Sequence, residues 1–195
     1  MQTTLSRVTR RLLLGAVSMA VLASAALAES PAPKVLFQTT LGEFVVEVYP
    51  DKAPKTVENF LRYVSAKQYD GTIFHRVIPS FMVQGGGYNV KFEEKITRPS
   101  VPLEAQNGLK HELGTIAMAR SNDPNSARAQ FFVNVKENPF LNAKGPSDGY
   151  TVFGRVVSGM ETIQKIKDVP TGSGGQFSTD VPKTTILINS ATLVK

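Results

Sequence analysis

The stretch Phe74-His75-Arg76-Val77-Ile78-Pro79-Ser80-Phe81-Met82-Val83-Gln84-Gly85-Gly86 decides how this chain is read. It runs as a strand, a Pro-Ser turn, a second strand and a glycine bend. It sets one cation, large apolar side chains and one amide within a few residues of one another. Glycines at the bend allow backbone to approach backbone or ligand closely. Taken alone, the segment reads first as a buried hairpin carrying a surface arginine.

Working outward, residues 35–39 and 43–48 are rich in β-formers and flank Thr40-Leu41-Gly42, so they predict a hairpin. Phe44, Val46 and Val48 alternate with Val45 and Glu47, the period of a strand with one face turned inward. Between 54 and 67 the period changes. Val57, Phe60, Leu61 and Val64 fall at i, i+3, i+4 and i+7, which is one stripe of an amphipathic helix. Pro54 suits its first turn, where a missing N–H is harmless. Further short strands are predicted at 73–77, 82–84, 115–119, 130–135, 152–156 and 184–193. A second helix fits 159–167, with Met160, Ile163 and Ile166 as its stripe, and a glycine-rich loop follows at 171–175. Many short strands with two helices point to a closed barrel or a sandwich, and periodicity goes no further.

Composition narrows the function classes. The 195 residues are 42% hydrophobic and 19% charged, an ordinary balance for one globular domain. Cysteine is absent, which excludes a disulfide framework, thiol catalysis and cysteine metal sites. His75 and His111 are too far apart in sequence for helical ligand spacing, so no metal site is expected, and both read as packed or surface imidazoles. The net charge of +6 falls to +3 without residues 1–28, which hold Arg7, Arg10, Arg11 and no acid. That is mildly basic with no run of Lys and Arg, so nucleic acid is not an expected partner.

Residues 1–28 read as an address. The three arginines form a basic region, the run 12–27 is uncharged, and Ala26-Leu27-Ala28 is the small-x-small pattern of a cleavage site. The run is shorter than the roughly 20 residues of a membrane span. Residues 29–34 (ESPAPK) read as a short flexible leader, and 35–195 as the working domain. The mature protein is expected in the periplasm, or outside the cell, with no membrane partner.

From residue 35 onward the chain resembles the cyclophilins. The resemblance rests on several blocks in one order: Ala53-Pro54-Lys55-Thr56-Val57-Glu58-Asn59-Phe60, the whole 74–86 segment, Gly114-Thr115-Ile116-Ala117-Met118-Ala119, Gln130-Phe131-Phe132-Val133 and Val152-Phe153-Gly154-Arg155-Val156. It implies a mainly β fold, a closed eight-stranded antiparallel β-barrel capped by two α-helices. It implies a peptidyl-prolyl cis–trans isomerase that needs no cofactor. By position, Arg76 matches the catalytic arginine, and Phe81, Met82, Phe132 and Leu141 match the proline pocket. Gln84 and Gln130 match polar groups beside the substrate, and Ala119 lies in the stretch that contacts the residue before proline. Phe140 and Tyr150 stand where the best-known eukaryotic members carry tryptophan and histidine, which puts drug binding in doubt more than catalysis.

The expected partners are proline-containing unfolded or exported polypeptides, met by a monomer. Two other readings use the same groove. A non-catalytic module that holds proline segments would not need Arg76. A holdase chaperone would need a broad apolar surface, and no extra segment is present to build one. A hydrolase is disfavoured because no serine sits in a nucleophile-elbow pattern. The address generates one prediction. Exported protein should begin at Glu29, and intact mass of the mature form checks it; full-length chain in the membrane fraction would contradict it.

Overall fold

Alternating burial sets the first hairpin. In the computed structural model, which describes residues 32–146 and 148–194, β1 (Lys34–Thr39) pairs with β2 (Gly42–Val48) from Lys34↔Glu47 to Thr39↔Gly42. The signal-peptide reading, and the leader as far as residue 31, lie outside the described residues. Val35, Phe37, Phe44, Val46 and Val48 are all buried, and the cross-strand partners Phe37 and Phe44 stack at 4.8 Å. Such a pair contributes beyond its buried area, because parallel rings at this separation also attract through their quadrupoles.

The helix α1 (Pro54–Ser65) follows with proline in its first turn; of its expected stripe it buries Val57, Phe60 and Val64, with Leu61 half-buried against the core. It stops two residues before the expected end, and Lys67 beyond it adopts a φ of 53°. Then come β3 (Thr72–Ile78), β4 (Met82–Asn89), β5 (Thr115–Met118), β6 (Phe131–Asn134), a single 3-10 turn (Pro139–Leu141), β7 (Val152–Ser158) and α2 (Met160–Lys167). The chain ends with β8 (Thr171–Gly174), β9 (Phe177–Pro182) and β10 (Leu187–Leu193).

Eight of these strands close a barrel in the order β1-β10-β3-β4-β6-β5-β7-β2, with every neighbouring pair antiparallel. Closure leaves no sheet edge in the barrel, because β1 is bonded to β2 on one side and to β10 on the other. Gly154 allows β7 and β2 to meet, since a Cβ there would stand 2.3 Å from the Glu47 carbonyl oxygen. The core fills the barrel and continues into both helices. Phe60 of α1 lies 5.0 Å from Phe153 and 6.4 Å from Phe131 between ring centres.

Two expectations need correction. The glycine-rich stretch 171–175 is not simply a loop, because 171–174 form β8, which pairs with β9 in a two-stranded sheet outside the barrel. Glycine and serine carry no strand propensity, so the pairing is imposed from a distance. Phe177 supplies that packing, with its ring 5.4 Å from His75, 5.2 Å from Tyr88 and 6.3 Å from Phe92. The strand expected at 82–84 also runs on to Asn89, through three glycines that lack a readable period.

The packing generates two predictions. Phe131 is fully buried and its ring lies against Phe37, Tyr69 and Phe74. Phe131→Ala should lower stability by about 3–5 kcal/mol, read by urea denaturation. The second concerns acid. His75 and His111 are both buried, and that burial lowers each from the ordinary 6.5 to about 4, with the nearby Arg76 charge also lowering His75. The fold therefore favours neutral imidazole, while the unfolded chain takes up protons below 6.5. Stability from this source is complete above about pH 6.5 and is lost as pH falls toward 4. Near pH 5 the slope should be on the order of 2 kcal/mol per pH unit. A His75→Phe/His111→Gln variant should show a much flatter slope between pH 6.5 and 5; an unchanged slope would assign it to carboxylates.

Candidate functional site

Strand alternation sends one residue from each of four neighbouring strands to the outer wall of the barrel. Met82, Phe132, Ala117 and Val152 come from β4, β6, β5 and β7, and with Leu141 they form a small apolar cluster separate from the main core. Phe81, Ala119 and Tyr150 pack against it, half-buried. Above this floor is a recess of about 360 Å³. Phe140 stands at it, 63% exposed, with its ring 5.5 Å from that of Phe81. Tyr150 meets Phe132 edge to face at 5.8 Å.

Arg76 and Gln84 also line this recess. The sequence of β3 alone would not aim the arginine there. Between Phe74↔Gly85 and Arg76↔Gln84 the β3–β4 ladder slips, so two steps on β3 oppose one on β4. His75 is the additional residue of this bulge, and a bulge redirects the side chain beside it. Arg76 Nη1 donates to Gln84 Oε1 at 3.5 Å, and Gln84 Nε2 donates to Gln130 Oε1 at 3.0 Å. A Cβ on Gly87 would collide with the Gln130 side chain at 2.4 Å, so this glycine makes room for the relay.

Nine of the ten expected site residues therefore line one recess. Gln130 does not. It lines an adjoining cavity of about 380 Å³ that shares Gln84, Ala119 and Arg120 with the first. Among the described residues, no three or more His, Cys, Asp or Glu side chains are grouped as a metal would require. No helix among them is long and apolar enough to cross a membrane.

Several contributors were missed from the sequence. Arg120 lines both cavities, lies over the Tyr150 ring at 4.6 Å, and donates from Nε to the Gly149 carbonyl at 3.0 Å. Asp180 on β9 stands 3.8 Å from Arg76 Nε. A buried polar network lies behind the apolar floor. Asn134 Nδ2 donates to Thr115 Oγ1 at 2.8 Å and to His111 Nδ1 at 3.1 Å. With Nδ1 accepting, His111 carries its proton on Nε2, which donates to the Tyr150 carbonyl at 3.1 Å. Asn138 Nδ2 donates to Asn134 Oδ1 at 2.8 Å and to the Phe81 carbonyl at 2.9 Å. The His111 ring also lies parallel to Phe132 at 5.8 Å. These are single polar residues scattered over the sequence, so no spacing could announce them.

Comparison with known proteins agrees with this architecture. The family profile described as "Cyclophilin type peptidyl-prolyl cis-trans isomerase/CLD" matches residues 34–193. Peptidyl-prolyl cis-trans isomerase B of Escherichia coli is 49% identical over 162 residues, covering 82% of this chain and 98% of the relative. Peptidyl-prolyl cis-trans isomerase cyp18 of Streptomyces antibioticus is 50% identical over 163 residues, with the same coverage. A crystal structure of a cyclophilin type isomerase from Cryptosporidium parvum, obtained in the presence of the dipeptide Ala-Pro, superposes with a TM-score of 0.68 at 26% identity, covering 83% of this chain and 99% of that one. A barrel with this strand order, a recess on its outer wall and relatives matched along almost their whole length leave one assignment: the chain belongs to the cyclophilin-type peptidyl-prolyl cis–trans isomerases.

Proposed function

We propose that the recess holds the proline of an X-Pro bond while Arg76 stabilises the twisted transition state, and that the clients are exported polypeptides met in the periplasm. The observation that carries the reading is the presence of a charged donor, Arg76, in the same recess as the apolar floor.

The peptide bond resists rotation by about 18–20 kcal/mol because nitrogen shares its lone pair with the carbonyl. At the top of the barrier the lone pair is localised on nitrogen, and only then is that nitrogen a good acceptor. A donor aimed at it binds the transition state better than either ground state, which is what acceleration requires. Arginine suits the task because it presents a rigid fork of donors with a fixed charge. No proton is transferred and no covalent bond forms. A reduction of about 7 kcal/mol would give roughly 10⁵-fold acceleration.

The apolar residues have a different task. Phe81, Met82, Phe132 and Leu141 grip the pyrrolidine ring while the carbonyl side turns. Burying such a ring contributes about 1–2 kcal/mol, weak enough for an enzyme that releases many different chains. Gln84 and Gln130 offer amides to the substrate backbone, and Ala119 leaves space for the residue before proline. Every one of these side chains comes from a single chain, so a monomer suffices. The basic-apolar-small pattern of residues 1–28 supports a periplasmic location.

Arg76→Ala tests the reading. Removing one donor aimed at a transition state should lower kcat/KM on an X-Pro peptide by about 10²-fold. Stability should change little, because the side chain is 44% exposed. Isomerisation at the wild-type rate would overturn the proposed role of Arg76.

A further inference from the structure

The hairpin β8–β9 lies outside the barrel, and it packs on the strand that carries Arg76. Its anchors are the Phe177 ring against His75 and Tyr88, and the buried Val181. Asp180, next to Val181, has a φ of 66°, a left-handed conformation that aspartate and asparagine tolerate better than most residues. Its carboxylate lies 3.8 Å from Arg76 Nε, and the two side chains are 35% and 44% exposed. On the other side of the same guanidinium, Nη1 donates to Gln84, which donates in turn to Gln130.

We propose that Asp180 is a positioning residue for Arg76: it engages the Nε side of the guanidinium while Gln84 engages Nη1, leaving the Nη2 donors for the substrate. The inference rests on the reading of Arg76 as the transition-state donor. A free arginine on a surface strand loses its aim to rotamer freedom, since its long side chain has many accessible rotamers. Two partners on different edges of one planar group define its plane, which a single partner does not. The carboxylate also lowers the local positive potential, an opposing effect. At 3.8 Å between half-exposed groups the attraction is screened by water and salt. The net effect is accordingly a modest gain through orientation.

The test uses the mature protein and an uncharged, end-blocked X-Pro peptide. Asp180→Asn keeps the left-handed backbone tolerable and removes only the charge. It should lower kcat about threefold to fivefold, with KM within twofold and melting temperature almost unchanged. Raising salt toward 1 M, where the screening length is about 3 Å, should bring wild-type kcat down toward the Asp180→Asn value. The variant itself should respond little. In an Arg76→Ala background, measured at high enzyme concentration, Asp180→Asn should add no further loss. The Arg76 Nε–H resonance should shift in Asp180→Asn and show faster side-chain motion. Wild-type kcat in Asp180→Asn beside a crippled Arg76→Ala would overturn this inference and spare the reading of Arg76. An equal loss with and without Arg76 would overturn it too. Full activity in Arg76→Ala would remove the donor role, and the positioning role with it.

Discussion

Phe131 and Phe132 are consecutive in sequence, yet they belong to different hydrophobic clusters. The pleat of a strand sends neighbouring side chains to opposite faces, and this parity is the constraint from which the site follows. The same split recurs around one side of the barrel. Val83, Ile116 and Phe153 enter the interior, while their neighbours Met82, Ala117 and Val152 face the outer cluster. The interior is filled by aromatic and aliphatic side chains, so a barrel of this size offers no room for ligand inside. The recess forms on the outer wall instead, where four strands each contribute one apolar residue to a common floor. A register slip of one residue in β6 would exchange Phe131 with Phe132 and ruin the core and the recess together.

The polar parts of the site depend on that floor being rigid. The His111, Asn134 and Asn138 side chains are buried, and the hydrogen bonds made by the three reach the Phe81 and Tyr150 carbonyls. Unpaired, each would carry a desolvation penalty of about 1–3 kcal/mol, so the network forms in one arrangement or the fold suffers. It thereby ties together segments distant in sequence: the turn before β4, strand β6, the 3-10 turn and the approach to β7. Apolar contacts alone would tolerate sliding, whereas directional bonds do not. The mouth of the recess is formed by the exposed Phe140, and its inner side is backed by this hydrogen-bonded network.

How much of this was legible depended on the reach of each interaction. The first hairpin and α1 could be read because their burial follows a local period, and the structure departs from them only at the ends. Barrel closure could not be read that way. It requires Val35 to pair with Leu193 across the length of the domain, and no local pattern encodes that partner. The match of several ordered blocks to one family supplied it. The β8–β9 hairpin stayed hidden because its stabilising contact, Phe177 on His75 and Tyr88, is long-range, while β8 is mostly glycine and serine and β9 is interrupted by Asp180 and ends on Pro182. Asp180 was invisible for the same reason, lying 104 positions from Arg76 in sequence and 3.8 Å away in space.

The division of labour in the recess suits a catalyst that must bind loosely. On the proposed reading, the proline ring is gripped by Phe81, Met82, Phe132 and Leu141, and burying it contributes only about 1–2 kcal/mol. Tighter ground-state binding would lower KM without raising kcat and would slow release of the chain. The acceleration has to come from interactions that strengthen only as the bond twists, and a charged donor meeting a newly available lone pair is one. That donor sits 44% exposed, where water competes for it. Its orientation therefore matters more than its strength, because a solvated guanidinium already aimed at the nitrogen has little reorganisation left to undergo. On the proposed reading, the bulge at His75, the Gln84–Gln130 relay and the neighbouring hairpin all act on that one variable, the direction in which Arg76 points.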